Sequence, residues 1–128
     1  MVEKLVENEQ TPHSDQRVVD WSFFDERFGS DDDLVNELIA IYIEEAPKQM
    51  EQIRQAVQTS DAAGLSLYAH SMKGASANMG AMEVRYIAGD LEAKGKAGDF
   101  SGVAELFAAL EKAYARVVDE FTNKTTRI

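Results

Sequence analysis

From Phe100 onward the chain places an apolar residue at alternating steps of three and four: Phe100, Val103, Phe107, Leu110, Tyr114, Val117 and Phe121. A strand repeats every two residues, so this seam fits only a helix with one apolar side, of the kind that lines a bundle. Such a helix cannot bury its stripe alone and must meet others like it. Upstream segments carry the same signal. Leu34, Leu38, Ile41, Tyr42 and Glu45 recur at helical spacing, followed by Met50, Ile53 and Val57, while Val84, Ile87, Ala88 and Leu91 share a later stripe. No run alternates like a half-buried strand, and neither Asn-Gly nor Asp-Gly occurs as a hairpin turn.

Punctuation residues divide this pattern into elements. Asp20 begins a short apolar helix holding Trp21, Phe23, Phe24 and Phe28, and Gly29 ends it. Ser30 suits an N-cap with Asp33 at the third helical position, a variant of the capping box, and the three aspartates at 31–33 suit the positive end of a helix dipole. The helix should run from Asp31 to about Thr59, with a kink or brief break at Pro47. Asp61 caps the next helix, which ends near Gly80-Ala81. A fourth runs from Met82 to about Ala97, and Gly98-Asp99 turns the chain into the last. The fold expected is all-α: an antiparallel up-down four-helix bundle with a short additional N-terminal helix capping one end. The boundaries read as a polar tail over 1–18, the bundle over 19–122 and a C-terminal tail over 123–128.

Composition narrows the function. The net charge of −10 disfavours nucleic acid and anionic membranes, both of which reward basic surface. No segment has the charged start and apolar run of a signal peptide, nor the length of a membrane span, so a soluble cytoplasmic protein is expected. With no cysteine, and only His13 and His70 as imidazoles, no metal site is expected. A metal- or haem-binding bundle would need several inward His and Glu ligands.

The informative segment is Ala69 to Ala81, AHSMKGASANMGA. On a helical wheel Leu65, Tyr68, Ala69, Met72, Ser76 and Met79 form the core stripe, and Ser66, His70, Lys73, Gly74 and Ala77 fall away from it. His70 should therefore face solvent, with Lys73 and Gly74 one turn on. A neutral imidazole is a competent nucleophile near pH 7, and a lysine beside it can offset arriving phosphoryl charge. Gly74 costs about 1 kcal/mol relative to alanine in mid-helix, which hints at a steric demand such as the approach of a partner. Lys94 or Lys96 could add positive charge from the following helix. Leu67 sits off the core stripe beside His70 and Gly74, either as an exposed contact for a partner or packed on a helix edge.

The segment resembles the phosphorylation-site signature of histidine-containing phosphotransfer (HPt) domains, which commonly reads His-x-Leu/Met-Lys-Gly-small-Ser/Ala and then Gly-Ala. The likeness extends over about residues 19–120, through Leu91-Glu92 and the Lys96-Ala97-Gly98-Asp99 turn. The resemblance implies that His70 is the phospho-acceptor, Lys73 the phosphate stabiliser and Gly74 the residue keeping the site open. Asn78 and Gly80 would shape the helix and its end, while Leu67, Ala77, Lys94 and Lys96, from their placement around His70, are the expected partner contacts. It further implies a phosphorelay intermediate of two-component signalling. His70 would take a phosphoryl group from a receiver-domain aspartate or a kinase and pass it to another receiver aspartate. Partners would be response regulators or hybrid histidine kinases, with no cofactor on this chain and Mg²⁺ on the receiver. Neither kinase nor ATPase activity is expected of the chain itself, which has no Gly-rich Lys-Ser/Thr loop, and a monomer is expected. The alternative is a helical protein-interaction module that does not use phosphotransfer.

Overall fold

The computed structural model describes residues 18–29 and 31–127, the last four through their backbone only. Residues 1–17 of the polar tail expected over 1–18, and the Ser30 cap, lie outside the described residues. Five helices follow in order among them: α1 (Trp21–Phe28), α2 (Asp32–Gln58), α3 (Ala62–Asn78), α4 (Met82–Ala97) and α5 (Val103–Arg127). The last four form the bundle.

Each start and stop has a local cause. Asp31, not Ser30, caps α2, its carboxylate accepting the Leu34 amide at 3.0 Å. Ser and Asp are both favoured at this position, so their clustering here leaves the choice open in the sequence. Asp61 caps α3 as expected, accepting from the Gly64 amide at 2.9 Å. Gly98 ends α4 in the left-handed region. The helix α5 runs on to Arg127, so the segment expected as a C-terminal tail over 123–128 is helical over 123–127.

Pro47 does not interrupt α2, which is continuous across it. Proline lacks the N–H that would bond the carbonyl four residues back, leaving Ile43 O without that partner. The Tyr114 hydroxyl, from α5, donates to this oxygen at 3.4 Å. A tertiary contact thus meets the carbonyl freed at the position where sequence alone suggests a kink or brief break.

The core takes one face from each helix. From α3 it takes Leu65, Ala69, Met72 and Ser76, from α4 Val84, Ile87, Ala88 and Leu91, and from α5 Val103, Leu110, Ala113, Val117 and Phe121. The α2 stripe is rotated from expectation. Val35, Ile39, Tyr42, Ala46, Ile53 and Ala56 are buried, whereas Leu34 and Ile41 are exposed. The apolar arc of α2 is wider than the contact it makes, and packing on α3 and α5 chooses which part is covered. Tyr42 and Ser76 bring hydroxyl groups into this core, joined to each other at 2.7 Å between α2 and α3.

The helix α1 caps the end where α2 begins, α3 turns into α4 and α5 finishes. The Asp20 amide donates to Gly80 O at 2.9 Å. Gly80 has φ +66°, and a Cβ there would lie 3.0 Å from Asp20 O, so this junction requires glycine. Trp21 donates its indole N–H to Glu120 at 2.9 Å, and the Trp21 and Phe24 rings meet Phe121 edge-on at 5.7 and 6.2 Å. Among the described residues no helix is long and apolar enough to cross a membrane.

Candidate functional site

His70 lies midway along α3, well clear of both helix ends. Ala69 and Met72 are fully buried, so the helical period turns His70 outward, its side chain 66% exposed. Antiparallel packing of α4 on α3 brings Glu92 beneath it. Glu92 Oε2 stands 2.9 Å from His70 Nδ1 and 3.3 Å from Lys96 Nζ, and Oε1 stands 2.7 Å from Lys73 Nζ. The Glu92 side chain is only 7% exposed. A carboxylate so placed must be compensated, and three groups do this. The Lys73 ammonium first, then His70 and Lys96, hold its pKa down at about 2 against the opposing effect of burial.

This arrangement assigns the two imidazole nitrogens different tasks. An ionised carboxylate can only accept, so the nitrogen facing it carries the hydrogen. Nδ1–H donates to Glu92, and in the neutral ring Nε2 keeps its lone pair. One carboxylate and two ammonium groups leave a surplus of one positive charge beside that nucleophile.

The other residues singled out from sequence sort into three groups. Gly74 is exposed, and a Cβ built on it would meet nothing within 4 Å. It therefore does not serve helix packing, and the space above it is open to another molecule. Leu67 is 59% exposed, which removes the edge-packing reading, and Ala77 is half-buried on the same helix. Lys96 joins the site through Glu92. Lys94 does not: two positions back on α4, it points elsewhere and bonds Asp99 at 3.2 Å and Ser101 at 3.3 Å. Residues two apart on a helix do not share a face.

Glu92 itself carried no role in the sequence reading beyond family likeness. The signal was present: Ala88, Leu91, Glu92 and Gly95 occupy i, i+3, i+4 and i+7 of one buried stripe. A lone carboxylate on such a stripe must find cations, and Lys96 follows at i+4.

Comparison with known proteins places this fold in a family. A family model described as the Hpt domain matches residues 37–120, more than half of the chain and all of the site. The chain belongs to the Hpt domain family. Membership implies a phosphorelay role and interaction with receiver domains. Among solved structures, this Hpt domain is similar to histidine-containing phosphotransfer protein B from Pseudomonas aeruginosa, with a TM-score of 0.82 and 24% sequence identity. The match covers 88% of this chain and 98% of that one, and it shows a shared five-helix bundle fold. No curated protein matches the chain.

Proposed function

We propose that His70 is the phospho-acceptor of a relay, receiving its phosphoryl group on Nε2 from a receiver-domain aspartate or a kinase and returning it to another receiver aspartate. The observation that carries this reading is the Nδ1–Glu92 hydrogen bond at 2.9 Å, because it leaves Nε2 as the exposed lone pair. When a receiver aspartyl phosphate is the donor, Nε2 attacks phosphorus, the P–Nε2 bond forms and the acyl P–O bond breaks. The donor leaves as a carboxylate. The ring gains positive charge as it reacts, and the fixed Glu92 carboxylate stabilises that imidazolium without moving.

Lys73 and Lys96 rest on Glu92 before transfer. Arrival of a phosphoryl dianion above the ring gives both ammonium groups a second acceptor, which offsets the new charge. Catalysis here is positioning and charge compensation, with the Mg²⁺ ion supplied by the receiver domain and no cofactor on this chain. A cytoplasmic location fits partners of that kind.

The test is acid-labile, alkali-stable labelling of the protein by a phosphorylated receiver domain. Wild type should be labelled and His70→Gln should not. Label retained in His70→Gln would refute the assignment.

A further inference from the structure

Two glycines on α4 flank Glu92, one three residues before it and one three residues after. Gly89, Glu92 and Gly95 form an i, i+3, i+6 row on the part of α4 turned toward α3. A Cβ at Gly95 would lie 2.6 Å from Ser66 N and 2.9 Å from Ala62 O and Ser66 Cα. These are backbone atoms of the first turn of α3, which ends one turn before His70, and they cannot rotate away. The two helices therefore touch almost backbone to backbone one turn from the imidazole. A Cβ at Gly89 would lie 3.4 Å from Lys73 Cδ. The lysine stem thus crosses the bare α4 backbone at Gly89 on its way to Glu92 Oε1.

The costs differ in kind. Each glycine inside this helix costs about 1 kcal/mol relative to alanine, an expense that needs a local reason. At Gly95 the reason is steric contact with backbone. At Gly89 alanine would just fit, whereas a longer side chain would occupy the path of Lys73.

We propose that Gly89 and Gly95 are positioning residues of the His70 site. Gly95 sets the helix separation at which Glu92 reaches the His70 Nδ1–H, and Gly89 provides the floor over which Lys73 reaches the same carboxylate. Their consequence for transfer rests on the reading of His70 as phospho-acceptor. Their effect on the ring does not, because it is visible in the tautomer of His70 without any phosphoryl group.

The experiment is ¹⁵N spectroscopy of the imidazoles in full-length protein, at a pH where both histidines are neutral, with His70→Gln used for assignment. Wild type should show His70 protonated mainly on Nδ1. Gly95→Ala should shift the population several-fold toward Nε2–H. Gly89→Leu should move the His70 resonances as Lys73→Ala does, and should have no further effect in the Lys73→Ala background. A folded Gly95→Ala protein with the wild-type tautomer ratio would overturn the proposal. So would an undiminished effect of Gly89→Leu when Lys73 is already absent, since that is what a merely structural role produces. If Gly95→Ala does not fold, the Gly89–Lys73 cycle decides the matter. Labelling with phosphoramidate, a small phosphodonor that releases ammonia as it transfers, separates the two readings. A correct tautomer response with no label on His70 would sink the relay and leave the positioning role standing.

Discussion

Gly74→Ala should make the protein more stable and a worse phosphoryl acceptor, and the structure allows both effects to be sized. Gly74 lies inside α3, four residues before its final residue, in helical geometry and exposed. Replacing glycine by alanine in a helix interior gains about 1 kcal/mol. Nothing in the chain lies within 4 Å of the added methyl, so no clash subtracts from that gain. For a domain of this size the melting temperature should rise by about 3–5 °C. The same methyl stands one turn from His70, about 5–6 Å away between Cβ atoms, on the surface a partner must approach. A receiver held off by about 1 Å loses in-line geometry, at a cost of up to about 100-fold in rate.

The assay compares two donors on the same variant. Transfer from a phosphorylated receiver domain should fall roughly 10- to 100-fold, following the cost of misplacement. Labelling by phosphoramidate, which is small enough to pass the methyl, should stay within about twofold. Equal losses with both donors would refute the reasoning, because they would mean that the methyl disturbs His70 itself. A fall in melting temperature would equally refute the claim that Gly74 has no packing role.

Replacing Glu92 tests the tautomer. Glu92→Gln can still accept from Nδ1–H but carries no charge, so transfer should slow by about fivefold, the difference between a charge-assisted and a neutral hydrogen bond. Glu92→Ala should be worse than Glu92→Gln in the same kinetic assay, and the reverse order would contradict the assignment. Stability should also depend on Glu92 in acid. Its pKa is lowered from 4.5 to about 2, so its contribution is complete above about 4.5 and disappears as pH falls toward 2. Urea unfolding across that window should show a steeper loss in wild type than in Glu92→Gln, and parallel curves would count against the ion-pair cluster. Leu67→Ser should slow receiver-dependent transfer and leave the melting temperature unchanged, because an exposed leucine contributes little to the core. Destabilisation with normal transfer would reject a docking role.

The bundle itself was legible because helical periodicity is a local property. The α5 seam, the α3 core stripe and the α4 stripe were each readable from spacing, and the structure buries most of their members. The exposure of His70 follows from the same arithmetic, since a residue next to Ala69 and off the Met72 line has nowhere else to point. The α2 stripe was less legible. Its apolar arc offered two candidate faces, and only contact with other helices exposes Leu34 and Ile41 while burying Val35 and Ile39. The continuity of α2 through Pro47, where a break was one of two expectations, was hidden for a related reason: the Tyr114 hydroxyl that meets the freed carbonyl is 71 positions away in sequence.

Sequence by itself therefore determined the helices, the outward histidine, the lysine beside it and the cleared position at Gly74. All of these depend on residues within a turn or two of each other. Tertiary structure decided what the histidine is connected to. Glu92 lies 22 positions from His70, and only the close approach of α4 to α3 puts its carboxylate on Nδ1. The same packing admits Lys96 and turns Lys94 away. Local spacing can place a histidine on a surface, but the tautomer it adopts depends on a partner brought from another helix.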